Sequence, residues 1–400
     1  MIKSVIMAGG FGTRLRPLTM TLPKPMVKIK NVPMMEHIVN LLKKHGIKDI
    51  TSVLYYQPDI ITNHFESGAA FGINMNYVLA QADYGTAGSV KNAKEYLDER
   101  FIIISGDVLT DIDLTEAIKF HESKNALATI LLTRVTKPLQ YGIVMTDDNG
   151  KINRFLEKPS WGQVFSDTIN TGIYILEPEV LDLIPYQEEF DFSKDLFPLM
   201  LKKDMPLYGY VTEGYWRDVG NLNEYQQGQY DALSGSVKLS ADGDNSNDHQ
   251  ISKSAKISET AKIKGNVVIG DNALIGDNVE LVNCVIGNNV KINDGSRILG
   301  TTIWDNVSVG MFSEIYDSVI CNDTKIGDHV TVFENVFIAE NCTIESNAEL
   351  NPNIKLWPGK KVEQGAILSR SLVQEDKWVR ELFTDARISG LSNIDMNPEF

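Results

Sequence analysis

The sequence predicts two architectures in series: an α/β domain on a mostly parallel sheet over residues 1–233, then a parallel β-helix over residues 251–358. Three observations carry this. Short apolar runs alternate with amphipathic helical stretches through the first part. A segment rich in Ser, Asp, Asn and Gly, residues 234–250, then interrupts every apolar period and reads as a linker. From Ile251 onward one apolar residue recurs every six positions, and occasionally every five.

In the first part, residues 4–7 read as a strand, and residues 34–45 place Met34, Met35, Ile38, Leu41 and Leu42 on one helical face. Residues 51–56 make a second strand and residues 101–105 (FIIIS) a buried one; 127–132, 143–145 and 172–176 continue the series. Strands alternating with helices imply a layered α/β fold, and open sheets of that kind bind ligands at the carboxyl ends of their strands.

In the second part, apolar residues fall at 251, 257, 263, 269, 275 and 281, and continue to 356. Fifteen steps are of six residues and three of five, the short ones following Leu281, Ile298 and Ile315. A small residue sits four positions after each start, among them Ala255, Ala261, Ala273, Val290 and Cys342; Ile354 alone departs. Eighteen steps make about six triangular coils, each burying its apolar corner on the last. Residues 359–400 leave the pattern, and residues 378–383 suit a short capping helix.

Composition bounds the function. Of 400 residues, 43% are hydrophobic and 23% charged, which excludes a disordered chain. No apolar run reaches the ~18 residues a membrane helix needs, and the apolar start meets Arg14 and Arg16 too soon for a signal peptide. A cytoplasmic protein is expected, with no membrane partner. The formal net charge of −15 argues against nucleic acid as a partner. Cys284, Cys321 and Cys342 are odd in number and lack CxxC spacing, so neither a disulfide framework nor a zinc site is expected.

The first strand runs directly into Gly9-Gly10-Phe11-Gly12-Thr13-Arg14-Leu15-Arg16-Pro17-Leu18-Thr19, with Pro23-Lys24-Pro25-Met26 downstream. Glycines there let backbone N–H groups approach phosphate oxygens. The third glycine of a dinucleotide fingerprint and the Gly-Lys-Ser/Thr of a P-loop are both missing. Taken together, GGxGTRLxPLT and PKPM resemble the opening of the sugar-phosphate nucleotidyltransferases, whose catalytic domain is Rossmann-like. Further blocks follow in that family's order: Gly85-Thr86-Ala87-Gly88, Gly106-Asp107-Val108, Glu157-Lys158-Pro159, Asn170-Thr171-Gly172-Ile173-Tyr174 and Trp216-Arg217-Asp218-Val219-Gly220. The hexapeptide region in turn resembles left-handed β-helices.

The resemblance implies roles. Gly9, Gly10, Gly12, Thr13, Arg14, Lys24, Gly85 and Thr86 would bind the nucleotide, with Gln81 beside the base. Arg14 and Lys24 would also stabilise the leaving pyrophosphate, while Asp107 and Asp218 would hold Mg²⁺. Lys158 would grip the sugar phosphate; Gly142, Glu157, Asn170 and Thr171 would line the sugar site. The chemistry needs no covalent enzyme group, because joining two polyanions calls for positioning and charge neutralisation.

Within the family, the GTAG loop and the fused β-helix are most similar to mannose-1-phosphate guanylyltransferases, which implies GTP and mannose 1-phosphate as substrates. Glucose-1-phosphate uridylyl- and thymidylyltransferases share the chemistry and stay open, as does a non-catalytic regulatory subunit. Acetyl transfer is not expected, since His329 is the one histidine in the repeats and sits in an unbroken step. Flat β-helix faces suit symmetric association, so a homo-oligomer is expected, a dimer first. The tail from Leu382 to Glu399 resembles the entry to a phosphomannomutase-like domain but carries no phosphoserine loop, so no mutase activity is expected.

Overall fold

The computed structural model describes residues 2–239 and 249–373, and the backbone alone of 383–384 and 387–388. The described residues fall into two compact units. One is built on residues up to Ser252 with Lys264–Gly270 and Asn283–Val285; the other on Lys253–Ile263, Asp271–Val282 and the residues from Ile286 onward.

The first unit is organised by strands β1 (Lys3–Ala8), β2 (Asp49–Leu54), β3 (Asn74–Leu79) and β4 (Phe101–Ser105). They pair in parallel in the order β4-β1-β2-β3. All four therefore deliver their carboxyl ends to one edge. Their runs VIMA and FIIIS are apolar on both faces because both faces are covered. Val5 and Ile103 join one core cluster, and Ile6, Ile102 and Ile104 the other.

After β5 (Val108–Thr110), the sheet continues through β6 (Ala128–Arg134), β7 (Gly142–Thr146), β8 (Ile152–Glu157), β9 (Thr168–Leu176) and β10 (Leu207–Val211). Strand β9 runs antiparallel to β4, β6 and β7, while β10 lies parallel to β6. A separate antiparallel pair joins β5 to β11 (Trp216–Asp218), with Asp218 opposite Val108. Helix α1 (Met34–Lys44) buries Met34, Met35, Ile38, Leu41 and Leu42 as its spacing predicts. Among the described residues no helix is long and apolar enough to cross a membrane.

The second part coils as a left-handed β-helix of three seven-stranded parallel sheets. In one sheet Ile275, Ile292, Val309, Ile326, Ile344 and Val362 stack in register, each nearly or fully buried. These are the residues of the six-residue period. Turns between faces place Asn272, Asn289 and Asn306 at positive φ (55°, 55° and 60°), a region that asparagine tolerates better than most side chains. Their side chains then form a ladder: Asn272 Nδ2 donates to Asn289 Oδ1 at 3.3 Å, and Asn289 Nδ2 to Asn306 Oδ1 at 3.1 Å. Cys342 is buried, and its thiol lies 3.2 Å from the Trp357 carbonyl oxygen, in keeping with packing.

Several boundaries differ from expectation. The strand expected over 51–56 stops at Leu54, so Tyr55 leaves the sheet and faces a cleft. The coil does not stop at 358: Lys361–Val362 and Ile367–Leu368 add rungs, because Val362 and Leu368 restore the apolar step after a glycine turn. At the other end, His249 and Gln250 already pair with Val267 and Val268, so the linker is shorter than drawn. Residues 240–248 of that linker, and the capping helix and tail resemblance beyond 373, lie outside the described residues. The exception is an antiparallel pair of two-residue strands, Phe383–Thr384 and Arg387–Ile388, which makes Phe383 strand rather than helix.

Candidate active site

The parallel strands aim their following loops at one cleft of about 460 Å³, lined by Gly9, Gly10, Lys24, Gly85, Thr86 and Asp107 among others. The glycine loop leaves β1 at Ala8 and turns at Gly12, whose φ of 62° lies in the left-handed region. The Thr19 hydroxyl closes the turn by donating to the Gly12 carbonyl at 2.7 Å. Burial of Leu15 and Leu18 holds the rest of the loop against the core. Thr13 and Arg14 are exposed.

Strand β4 presents Asp107 from the same edge, one residue beyond Gly106, whose N–H donates to the Met7 carbonyl at 2.8 Å. Pairing of β5 with β11 then carries Asp218 alongside, and the Val219 N–H donates to the Asp107 carbonyl at 3.2 Å. Lys24 is the hinge of the group. Its Nζ hydrogen-bonds Asp107 and stands 3.6 Å from Asp218 Oδ1, with only 8% of the residue exposed. Arg14 approaches from the other side: a Cβ on Gly220 would lie 3.2 Å from Asp218 Oδ2 and 3.4 Å from Arg14 Nη2.

The charges respond to this packing. Burial opposes the Lys24 ammonium, but Asp107 and Asp218 outweigh it and hold its pKa above the usual lysine value. Burial likewise opposes the Asp107 carboxylate, yet Lys24 and the Ser105 hydroxyl keep it below the usual range. Asp218 is pushed up, by burial and then by the Asp107 charge, which Lys24 and Arg14 do not fully offset. Two carboxylates thus stand together at the sheet edge, with Lys24 in reach of both.

That is a donor set for a hard divalent cation, which binds oxygen and typically takes one or two carboxylates plus substrate phosphates. Among the described residues no cluster of three or more His, Cys, Asp or Glu is arranged for a metal, so phosphate or water oxygens would complete the shell.

The second loop, Gly85-Thr86-Ala87-Gly88, opens a short helix, α2 (Gly85–Lys91). Its Ala87 and Gly88 N–H groups both donate to the Phe190 carbonyl at 2.9 Å, and the Thr86 hydroxyl donates to Asp191 Oδ1 at 2.8 Å. Gln81 is exposed, while its neighbours Ala80 and Ala82 line the cleft.

The residues expected on the sugar side lie apart from these loops. Glu157 pairs with Gly142 across β7–β8, so closely that a Cβ on Gly142 would stand 2.7 Å from Glu157 Oε2. Burial raises the Glu157 pKa despite Lys158 and Lys194. Asn170 Nδ2 donates to the Tyr174 hydroxyl at 3.0 Å and to Ser193 Oγ at 3.1 Å. Burial pushes the Tyr174 pKa up to about 12, so its hydroxyl stays neutral. Lys158 is exposed at a φ of 45°, its N–H donating to the Tyr141 carbonyl at 3.1 Å.

The Thr171 side chain is not brought to the sugar side. It is buried, and its hydroxyl donates to the Leu131 carbonyl at 2.7 Å because β9 packs against β6 there. Sequence reasoning missed Ser105, Tyr55, Asp191, Ser193 and Lys194. Ser105 had a signal, a hydroxyl closing a buried strand next to Asp107; residues 191–194 carried none.

Residues 3–235 match the nucleotidyl transferase family. The chain belongs to that family. Residues 247–350 match the EIF2B subunit epsilon LbH domain, in agreement with the coil seen here. The UTP–glucose-1-phosphate uridylyltransferase of Synechocystis is 40% identical over 59% of this chain and 65% of its own length. A mannose-1-phosphate guanyltransferase of Yarrowia lipolytica is 39% identical over 57% and 63%. The chain thus spans just under two thirds of the length of these relatives. A crystal structure of HddC from Yersinia pseudotuberculosis complexed with GMP-PN matches with a TM-score of 0.50 and 28% identity, covering 57% of this chain and 98% of that one.

Exposed His329 at a β-helix corner stacks on Phe312, ring centroids 5.4 Å apart, as a turn residue would.

Proposed function

We propose that this protein joins GTP to mannose 1-phosphate, giving GDP-mannose and pyrophosphate. The observation that carries the reading is Lys24 held between Asp107 and Asp218 at the sheet edge where the glycine loop begins. In the reaction, a phosphate oxygen of mannose 1-phosphate attacks the α-phosphorus of GTP in line. The bond to the bridging oxygen breaks, and pyrophosphate leaves with the electron pair. Arg14 and Lys24 meet the charge on the leaving group, and the glycine loop offers backbone N–H groups to the triphosphate. Asp107 and Asp218 would hold Mg²⁺, which when bound neutralises phosphate charge. Glu157 and Asn170 bond sugar hydroxyls, and Lys158 grips the sugar phosphate.

Guanine is favoured by the Yarrowia lipolytica relative and by the HddC complex. The Synechocystis relative favours a second reading, uridylyl transfer to glucose 1-phosphate. Pyrophosphate release with Mg²⁺, over a grid of GTP, UTP, dTTP and ATP against mannose and glucose 1-phosphates, separates them. A maximum at GTP with mannose 1-phosphate is expected. A maximum at UTP or dTTP with glucose 1-phosphate replaces the specific assignment, and no release anywhere favours a regulatory subunit.

A further inference from the structure

Residues 191–194 connect the two halves of the site. Asp191 Oδ1 accepts from the Thr86 hydroxyl at 2.8 Å, on the second nucleotide loop. Phe192 is buried, packing on Tyr174 and Phe197 with ring centroids 5.1 and 5.9 Å away. Ser193 accepts from Asn170 at 3.1 Å and hydrogen-bonds Glu157, on the sugar side. With those three pinned, Lys194 lines the cleft. The turn that presents it, Phe192–Leu196, is π-helical, a rare geometry that concentrates at functional sites.

Among the described residues lining the cleft, the cations are Lys24 and Lys194. Lys24 is committed to Asp107 and Asp218. Lys194 is not: its side chain is 66% exposed, and its Nζ lies 3.6 Å from Asp191 Oδ2, a loose surface pair. A phosphate entering the cleft therefore meets an ammonium that moves at little cost. Its neighbour Ser193 fixes which phosphate, because that residue is tied to Glu157 and Asn170 rather than to the glycine loop.

We propose that Lys194 is a substrate-binding residue that grips the phosphate of the incoming sugar 1-phosphate. This rests on the function proposed above. Steady-state kinetics of Lys194→Met should show KM for the sugar 1-phosphate raised about 10- to 100-fold, the loss of one charge-assisted hydrogen bond, with KM for the nucleotide unchanged. Lys194→Arg should recover most of the loss. An unchanged sugar-phosphate KM overturns the proposal, as does a rise in nucleotide KM instead. Calorimetric titration of the full chain with mannose 1-phosphate, in the presence of Mg²⁺ and GMP-PN, keeps the two readings apart. If the wild type releases no pyrophosphate from any pair, the proposed function fails. Binding of the sugar phosphate that Lys194→Met weakens still supports Lys194, whereas binding that the variant leaves intact, or none by either protein, rejects it.

Discussion

Gly142→Ala tests whether Glu157 has to stand where it does. The glycine has ordinary strand geometry, so alanine meets no backbone strain there. What it meets is the opposite strand: the new Cβ would lie 2.7 Å from Glu157 Oε2 and 2.9 Å from Phe155 Cζ. Restoring an ordinary contact near 3.4 Å moves the carboxylate by about 0.7 Å, and the Phe155 ring by somewhat less. That ring backs onto Phe197, centroids 5.8 Å apart, so it yields less readily than the carboxylate, whose far side is part-exposed. A misplacement near 1 Å costs on the order of 10² in rate, so about 0.7 Å should lower kcat/KM for the sugar 1-phosphate roughly 10- to 50-fold. Overpacking should cost about 1–3 kcal/mol of stability, partly offset by the lower chain entropy of alanine. Pyrophosphate release at varied sugar phosphate, with nucleotide saturating, is the assay. A kcat/KM within twofold of wild type would show that the Glu157 carboxylate does not position the sugar, whatever the melting temperature does.

Asp107→Asn keeps the shape of the carboxylate and removes its charge; pyrophosphate release should fall at least about 100-fold while the circular dichroism spectrum is retained. Wild-type rates would remove Asp107 from the mechanism. Gly12→Ala forces a side chain into the left-handed region, with its Cβ 3.0 Å from Lys24 Cβ and 3.2 Å from Thr19 Cγ2. It should cost about 2–4 kcal/mol in urea unfolding and raise the nucleotide KM, and an unperturbed midpoint would mean the loop has another accessible shape. His121 is fully buried, its ring nitrogens 2.8 Å from Thr129 Oγ1 and 3.2 Å from Glu177 Oε1. Burial lowers its pKa below the ordinary 6.5, and Glu177 offsets this only in part. Its contribution to stability is therefore full above pH 6.5 and is lost as pH falls towards the lower folded value, by up to about 1.4 kcal/mol per pH unit. Urea midpoints between pH 8 and 5 should fall more steeply for wild type than for His121→Gln; equal slopes would refute the assignment.

The repeat and the motifs show where sequence suffices. An apolar residue every six positions can bury its side chains only by coiling, so Ile275, Ile292 and Val309 foretold the stacked column without any tertiary information. The turn asparagines went unread, although an Asn recurring three residues after the apolar position is a signal for the positive φ found there. In the first unit, Gly9, Lys24, Asp107 and Asp218 stood out through the resemblance of the motifs that carry them, taken as an ordered set, to the nucleotidyltransferases.

What the chain alone did not decide was which of them share a charge. Lys24 and Asp107 are 83 residues apart, and their contact exists because β1 and β4 pair in parallel and end at one edge. Asp218 arrives only through the antiparallel pairing of β5 and β11. Tertiary packing also withdrew Thr171 into the core, and it brought forward Ser193 and Lys194 from a stretch with no motif. Local pattern fixes which side chains a segment must bury. Long-range strand pairing decides which polar groups are left facing one another, and that pairing carries no signature in the few residues on either side.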